Sequence, residues 1–191
     1  MTKFTLTKAT ILFLLSGILV ACGNDKWEFD FEKGDHGEWT LPNLEPLSKT
    51  EFEQEIVGYG WKWIDTYEIE ENGKLAQKPY WEDMIGGSPD QYYFAKDSVT
   101  RFFWADAIPA DCYWTTAYTY EEKGNQVSTA HGETSLQLLK LEDSKLEAIE
   151  YLGQRGDGIK VYGYSIYQRM SDEELEKCRK SYPTNFEDVW D

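Results

Sequence analysis

The chain has 191 residues, with 19 Lys and Arg against 35 Asp and Glu and a formal net charge of −16. Such a charge excludes nucleic acid, whose phosphates would repel it, and peripheral binding to anionic lipid. Aromatic residues make up 16% of the chain, a composition that favours strands and filled or pocketed barrels.

The first eight residues carry Lys3 and Lys8 and no acid, and an apolar run from Ala9 to Ala21 follows. That run is short for a bilayer span, which needs roughly 20 apolar residues, and has the layout of a secretory signal. It ends in Leu19-Val20-Ala21-Cys22, which resembles the lipobox of bacterial lipoproteins. The resemblance implies diacylglycerol on the Cys22 sulfur, cleavage before Cys22 and acylation, for instance by palmitate, of the new amine. Several acyl chains, at about 0.8 kcal/mol per buried CH₂, hold a protein firmly on a membrane. Gly23 rather than Asp follows the cysteine, which by the same resemblance permits outer-membrane sorting. Removing residues 1–21 leaves 170 of 191. Two of the 19 basic residues go with them, so 17 face 35 acids and the net charge becomes −18. A basic partner protein or a plain extracytoplasmic surface would suit that charge.

Residues 22–47 read as an acidic tether with Gly34, Gly37, Pro42 and Pro46, although Trp27, Phe29, Phe31 and Trp39 are unusual for a linker. Ser48-Lys-Thr-Glu51 has capping-box form and predicts a short helix. A first strand over 56–71 places Trp61, Trp63, Tyr67 and Ile69 on one face by period two. Lys62, Thr66, Glu68 and Glu70 fall on the other, as a solvated face rather than a catalytic carboxylate pair. A long connection over 74–90 follows. Further strands are predicted over 91–96, 99–107, 112–121, 126–130, 134–142, 145–153 and 159–170, separated by turn chemistry such as Lys123-Gly-Asn125 and Asp143-Ser144. Arg155-Gly156-Asp157 falls in one such hairpin turn. Ser171-Asp-Glu-Glu174 opens a last helix with Leu175, Cys178 and Tyr182 on one face, and Pro183 stops it. Residues 183–191 form an acidic tail.

Short links make neighbouring strands antiparallel, and closure removes exposed edges. The expected fold is therefore all-β: an eight-stranded antiparallel up-and-down barrel with a short N-terminal helix and a C-terminal helix, over residues 48–182. This architecture resembles the lipocalin-like, calycin-type barrels of bacterial lipoproteins. The Gly58-Tyr-Gly60-Trp61-Lys-Trp63 segment stands where lipocalins carry Gly-x-Trp, without the strict spacing. Arg169 stands where the resemblance implies an arginine packed over that tryptophan, a structural role. Without the resemblance, the two cysteines beyond Cys22 either pair in an oxidising compartment or are buried separately. The resemblance implies a Cys112–Cys178 disulfide.

No catalytic constellation is found. His36 lies in the tether and His131 in a glycine turn, without a nucleophile motif, and no Cys/His spacing suits a metal. The chain is expected to be no enzyme and to need no cofactor. The aromatic set Trp61, Trp63, Tyr67, Tyr93, Phe103, Trp114, Tyr118 and Tyr120 provides ligand-binding candidates. An eight-stranded barrel is just wide enough to be filled by such side chains or to hold one small, partly apolar ligand. The rival readings are a protein-interaction module for a basic partner and a structural envelope lipoprotein.

Overall fold

Period-two sequence and short turns produce a closed sheet. The structure, a computed structural model, describes residues 29–77, 90–129 and 135–189. The expected signal segment, Cys22, Trp27, His131, Trp190 and most of the 74–90 connection lie outside the described residues. In chain order, β1 (Glu32–Lys33) and β2 (Trp39–Thr40) form a small hairpin, and α1 (Lys49–Glu55) follows. Then come β3 (Gly60–Glu68), β4 (Gln91–Phe94), β5 (Ser98–Ala105), β6 (Ala110–Glu121), β7 (Gln126–Thr129), β8 (Ser135–Glu142), β9 (Lys145–Gln154) and β10 (Lys160–Arg169). The chain continues with α2 (Asp172–Ser181) and β11 (Thr184–Asn185). Strands β3 to β10 pair antiparallel in sequence order, and β10 pairs with β3, which closes an eight-stranded barrel. The all-β, up-and-down architecture expected from the sequence is the one observed.

Both capping boxes form. Ser48 accepts from the Glu51 amide while Glu51 accepts from the Ser48 amide, and Ser171 and Glu174 do the same for α2. In the β6–β7 turn Asn125 has φ 52° and follows Gly124 at φ 79°. This left-handed pair suits a tight hairpin, and asparagine tolerates it.

The first strand departs from strict alternation. Tyr167 of β10 pairs with Trp63, but Ile166 pairs with Asp65, so Ile64 is an extra residue in a bulge and is 48% exposed. An extra residue inverts every side chain beyond it. Trp61 and Trp63 therefore face inward, as do Thr66 and Glu68, whereas Tyr67 and Ile69 face outward. The single-face expectation for Trp61, Trp63, Tyr67 and Ile69 is corrected accordingly, and so is the outward placement of Thr66 and Glu68. The outward apolar residues are covered nonetheless. Phe31 and Trp39 lie with Ile69, Ile149 and Tyr164, and Phe29 packs on Tyr164 with ring centroids 4.9 Å apart. From this hairpin the chain runs on along the barrel as a strap. Leu41 N donates to Gln137 Oε1 at 2.8 Å and Leu47 N to Asn125 Oδ1 at 2.8 Å.

Helix α2 packs Leu175, Cys178 and Tyr182 against the outer face at Phe102 and Met170. Gly60 permits this approach, since a Cβ there would stand 2.9 Å from Leu175 Cδ1 and from Met170 Sδ. The expected disulfide is not present: Cys112 and Cys178 are both free and buried. The reason is strand phase. Cys112 pairs with Phe103 and packs with it, Ala105 and Trp114 on the inner face, while Cys178 sits outside on Phe102, so the sheet lies between them. Burial pushes the Cys178 thiol up to about 11 and raises that of Cys112, so neither is a ready nucleophile. Thiol titration of the protein without reductant is expected to find Cys112 and Cys178 unreactive when folded and both reactive in denaturant; failure of these two to react in denaturant would contradict this packing.

Candidate functional site

The barrel interior is built in three layers. At one end α1 forms a plug. Phe52 stacks on Tyr120 with centroids 4.1 Å apart and meets Tyr118 and Phe94 edge-on, and Ile56 and Trp61 are wholly buried beside it. Arg169 closes this end from outside. Its guanidinium lies 4.0 Å from the Tyr59 ring and 5.4 Å from the Trp61 ring, and Nη2 donates to Glu55 O at 2.7 Å. Arg169→Ala is expected to cost about 1–3 kcal/mol, since it removes a cation–π contact and a charge-assisted hydrogen bond; urea melts would measure it.

The middle layer is polar. Glu150 of β9 stands inward opposite Gly163 of β10. Its Oε1 accepts from Tyr92 OH, and its Oε2 accepts from Ser165 Oγ at 2.9 Å and from Tyr167 OH at 2.6 Å. Ser165 spends its proton on Glu150, so Thr66 Oγ1, 2.8 Å away, donates to Ser165, and Trp63 Nε1 donates to Thr66 at 2.8 Å. Three strands, β3, β4 and β10, thus converge on the one carboxylate that β9 carries. Burial raises the Glu150 carboxyl above its ordinary value, as does the nearby charge of Asp90, and the three hydroxyls oppose that rise. An unpaired carboxylate would be far too costly here, and hydroxyl donors make it tolerable.

Beside this hub, Arg101 of β5 pairs across the sheet with Tyr92 and Trp114, which places it on the same inner face. Its Nε donates to Asp90 Oδ2 at 2.5 Å, and its guanidinium lies 4.7 Å from the Phe103 ring. Burial works against the charge on Arg101, but Asp90, Tyr92 and Glu150 more than offset it, so its proton is held more firmly than usual. Burial likewise raises the Asp90 carboxyl, against the pull of Arg101. The Arg101 side chain nevertheless remains 27% exposed and that of Asp90 20%. Arg101 thus points into the barrel yet keeps part of its side chain accessible, which marks this end of the interior as the open one, a shallow cup opposite α1.

The third layer forms the far wall. Strand β11 runs parallel to β6 at Cys112 and Tyr113, and Phe186 meets Phe103 edge-on at 5.4 Å. Trp114 Nε1 donates to Glu187 Oε1 at 3.0 Å. Outside this cup, a cavity of about 340 Å³ lies at the rim by β3 and the β9–β10 hairpin, lined by Trp39, Glu68, Ala76, Arg155 and Val161 among others. None of the eight aromatic candidates lines it. Arg155 donates to Glu68 there, so the Arg155-Gly156-Asp157 tripeptide is a hairpin turn with its arginine engaged.

Of the aromatic candidates, Trp61, Tyr118 and Tyr120 belong to the plug, and Trp63, Phe103 and Trp114 surround the polar layer. Tyr67 and Tyr93 are outside. Tyr67 donates to Asp65 at 2.8 Å, and Tyr93 lies under Arg179 at 4.7 Å against α2. The expectation of an inward Tyr93 is thus corrected: its neighbour Tyr92 takes the inner face. Sequence reasoning missed Asp90, Tyr92, Arg101, Glu150, Ser165 and Tyr167. A signal was there: Arg101 is in phase with Val99 and Phe103, and Glu150 with Leu146 and Ala148, charges at apolar positions.

No family model and no curated protein matches the chain. Among solved structures, it is similar to a siderocalin, Ex-FABP, described as functioning through dual ligand specificities. The match covers 66% of this chain and 83% of that one, at 12% identity and a TM-score of 0.40. The fold assignment here rests on the strand order and pairing of the barrel itself.

Proposed function

We propose that this chain is a lipid-anchored envelope protein whose lipocalin-like barrel binds a small, partly apolar ligand in the cup opposite α1. The observation that carries the binding reading is Arg101, inward-facing yet solvent-accessible above a satisfied polar layer. A barrel evolved only to be solid would be cheaper with aliphatic side chains at Arg101 and Glu150. The walls of the cup supply what a small-molecule site needs: aromatic surface from Trp63, Phe103 and Trp114, and a few fixed polar groups.

The anchor reading rests on Leu19-Val20-Ala21-Cys22. Six residues stand between Cys22 and Phe29, a reach of at most about 25 Å over the seven Cα–Cα steps, and Phe29 is already packed on the barrel wall. The anchored barrel would therefore sit close to the bilayer, with the rest of the acidic segment serving as a strap.

Mass spectrometry of the protein from its native envelope tests both parts. Under native conditions a small molecule is expected to accompany the folded chain and to leave on denaturation, and the mature N-terminus is expected to be an acylated Cys22 carrying diacylglycerol. A bare folded mass at every preparation would refute the binding reading, and an unmodified N-terminus elsewhere would refute the anchor.

A further inference from the structure

We infer that residues 44–57, the end of the strap together with α1, form one moving unit in which the strap is the latch that holds α1 in the barrel. Unlatching opens the interior from the α1 end, on the side away from Arg101. The strap is held by its backbone. Asn125 Oδ1 accepts from Leu47 N at 2.8 Å and its Nδ2 donates to Glu45 O at 3.0 Å, while Tyr120 OH donates to Leu47 O at 2.5 Å. Asn43, Glu45 and Pro46 are exposed, so this stretch buries little apolar surface. Segments held by a few hydrogen bonds over little buried surface are the ones that open locally.

The residues that hold the strap also hold the plug. The Tyr120 ring lies on Phe52 with the planes 7° apart. Glu122 accepts from Lys49 N at 2.7 Å, a first-turn amide that has no acceptor inside the helix. Ser48 is both the last strap residue and the N-cap of α1. A helix of seven residues is well short of the roughly 12 that an isolated helix needs, so α1 persists only through these ties and its packing.

Both ends of the unit carry a pivot. Asn43 has φ 61° and Gly58 φ 89°, and nothing stands within 4 Å of where a Cβ on Gly58 would be. A hinge needs a few such residues to absorb the dihedral change. The chain beyond each pivot is fixed. Gln137 accepts from Leu41 N and donates to Leu41 O at 3.3 Å, and Gly58 N donates to Phe94 O at 2.7 Å. Arg169, bonded to Glu55 O, holds the far end of α1, and burial of Phe52 and Ile56 keeps the unit shut most of the time. When the unit swings out, Trp61 Nε1 loses its acceptor, Ile56 O at 3.4 Å, and the indole meets water.

Native-state hydrogen exchange followed by NMR tests this. In the unsubstituted protein the amides of Leu47, Lys49, Phe52 and Ile56 and the Trp61 indole N–H are expected to share one opening constant, roughly tenfold or more above that of the amides that pair β9 with β10. Tyr120→Phe keeps the ring on Phe52 and removes the hydroxyl from Leu47. It is expected to raise all five rates by a common factor of roughly three to ten. Should that variant fail to fold, the rates of the unsubstituted protein still decide. The proposal is overturned if the α1 amides and the Trp61 indole exchange only together with the barrel strands while the strap amides exchange faster. It is equally overturned if Tyr120→Phe speeds the strap and leaves α1 and Trp61 unmoved.

Discussion

Glu150→Ala is expected to destabilise the fold by about 3–5 kcal/mol, because it strips three buried hydroxyls of their common acceptor. Glu150→Gln should cost less, since the amide oxygen still accepts, although its NH₂ faces hydroxyl donors. The two variants also differ from wild type in pH dependence. Burial raises the Glu150 carboxyl above its reference of 4.5, so the folded state holds its proton where the unfolded chain has released it. Stability from this group is therefore full below about 4.5 and declines as pH rises through the folded value. Asp90, also raised by burial, has the same sign. The exposed cap residues Glu51 and Glu174 are lowered by their hydrogen bonds with Ser48 and Ser171 and have the opposite sign: their contribution is lost as pH falls. Urea melts between pH 5 and 8 should thus show wild-type stability falling with pH, and Glu150→Gln falling less. Parallel slopes would show that Glu150 does not titrate as a buried carboxyl.

Trp61→Ala carries the other large expected effect, about 3–5 kcal/mol. Trp61 is wholly buried between the α1 plug and the Arg169 guanidinium. Its removal leaves Phe52 and Ile56 facing a void and takes away one ring beneath the arginine. Trp61→Phe keeps much of the volume and should cost distinctly less. Equilibrium urea unfolding measures both. A loss under about 1 kcal/mol for the alanine variant would mean that this end of the barrel is not packed, contrary to the closed floor on which the cup depends.

The strands and helices were legible because their signals are local. Ser48/Glu51 and Ser171/Glu174 mark both helix starts, and turn residues such as Gly124-Asn125 separate strands whose alternation is regular. The first strand was legible only as far as Trp63. No local rule reveals that Ile64 is an extra residue, since the bulge is defined by what β10 presents opposite it. That one residue decides whether Thr66 or Tyr67 faces the interior. The cysteine pairing failed for a related reason. Cys112 and Cys178 are at suitable places in chain order, but a bond depends on the face of β6 on which Cys112 falls. The strap was signalled only by aromatics unusual in a linker: Phe29, Phe31 and Trp39 have no period of their own and fold onto a surface made by distant strands. The polar layer could have been suspected from the charges of Arg101 and Glu150 in apolar phase, but their meeting with Asp90, Tyr92 and Tyr167 requires barrel closure.

The central claim is that the barrel holds a cup above the Glu150 layer that takes a ligand at Arg101. A crystal structure of the protein with 11-(dansylamino)undecanoate tests it most directly. The probe is expected inside the barrel beside Arg101, with its chain against Phe103 and Trp114. A barrel closed by its own side chains, with the probe absent or seated only in the rim cavity by Trp39 and Glu68, would contradict it.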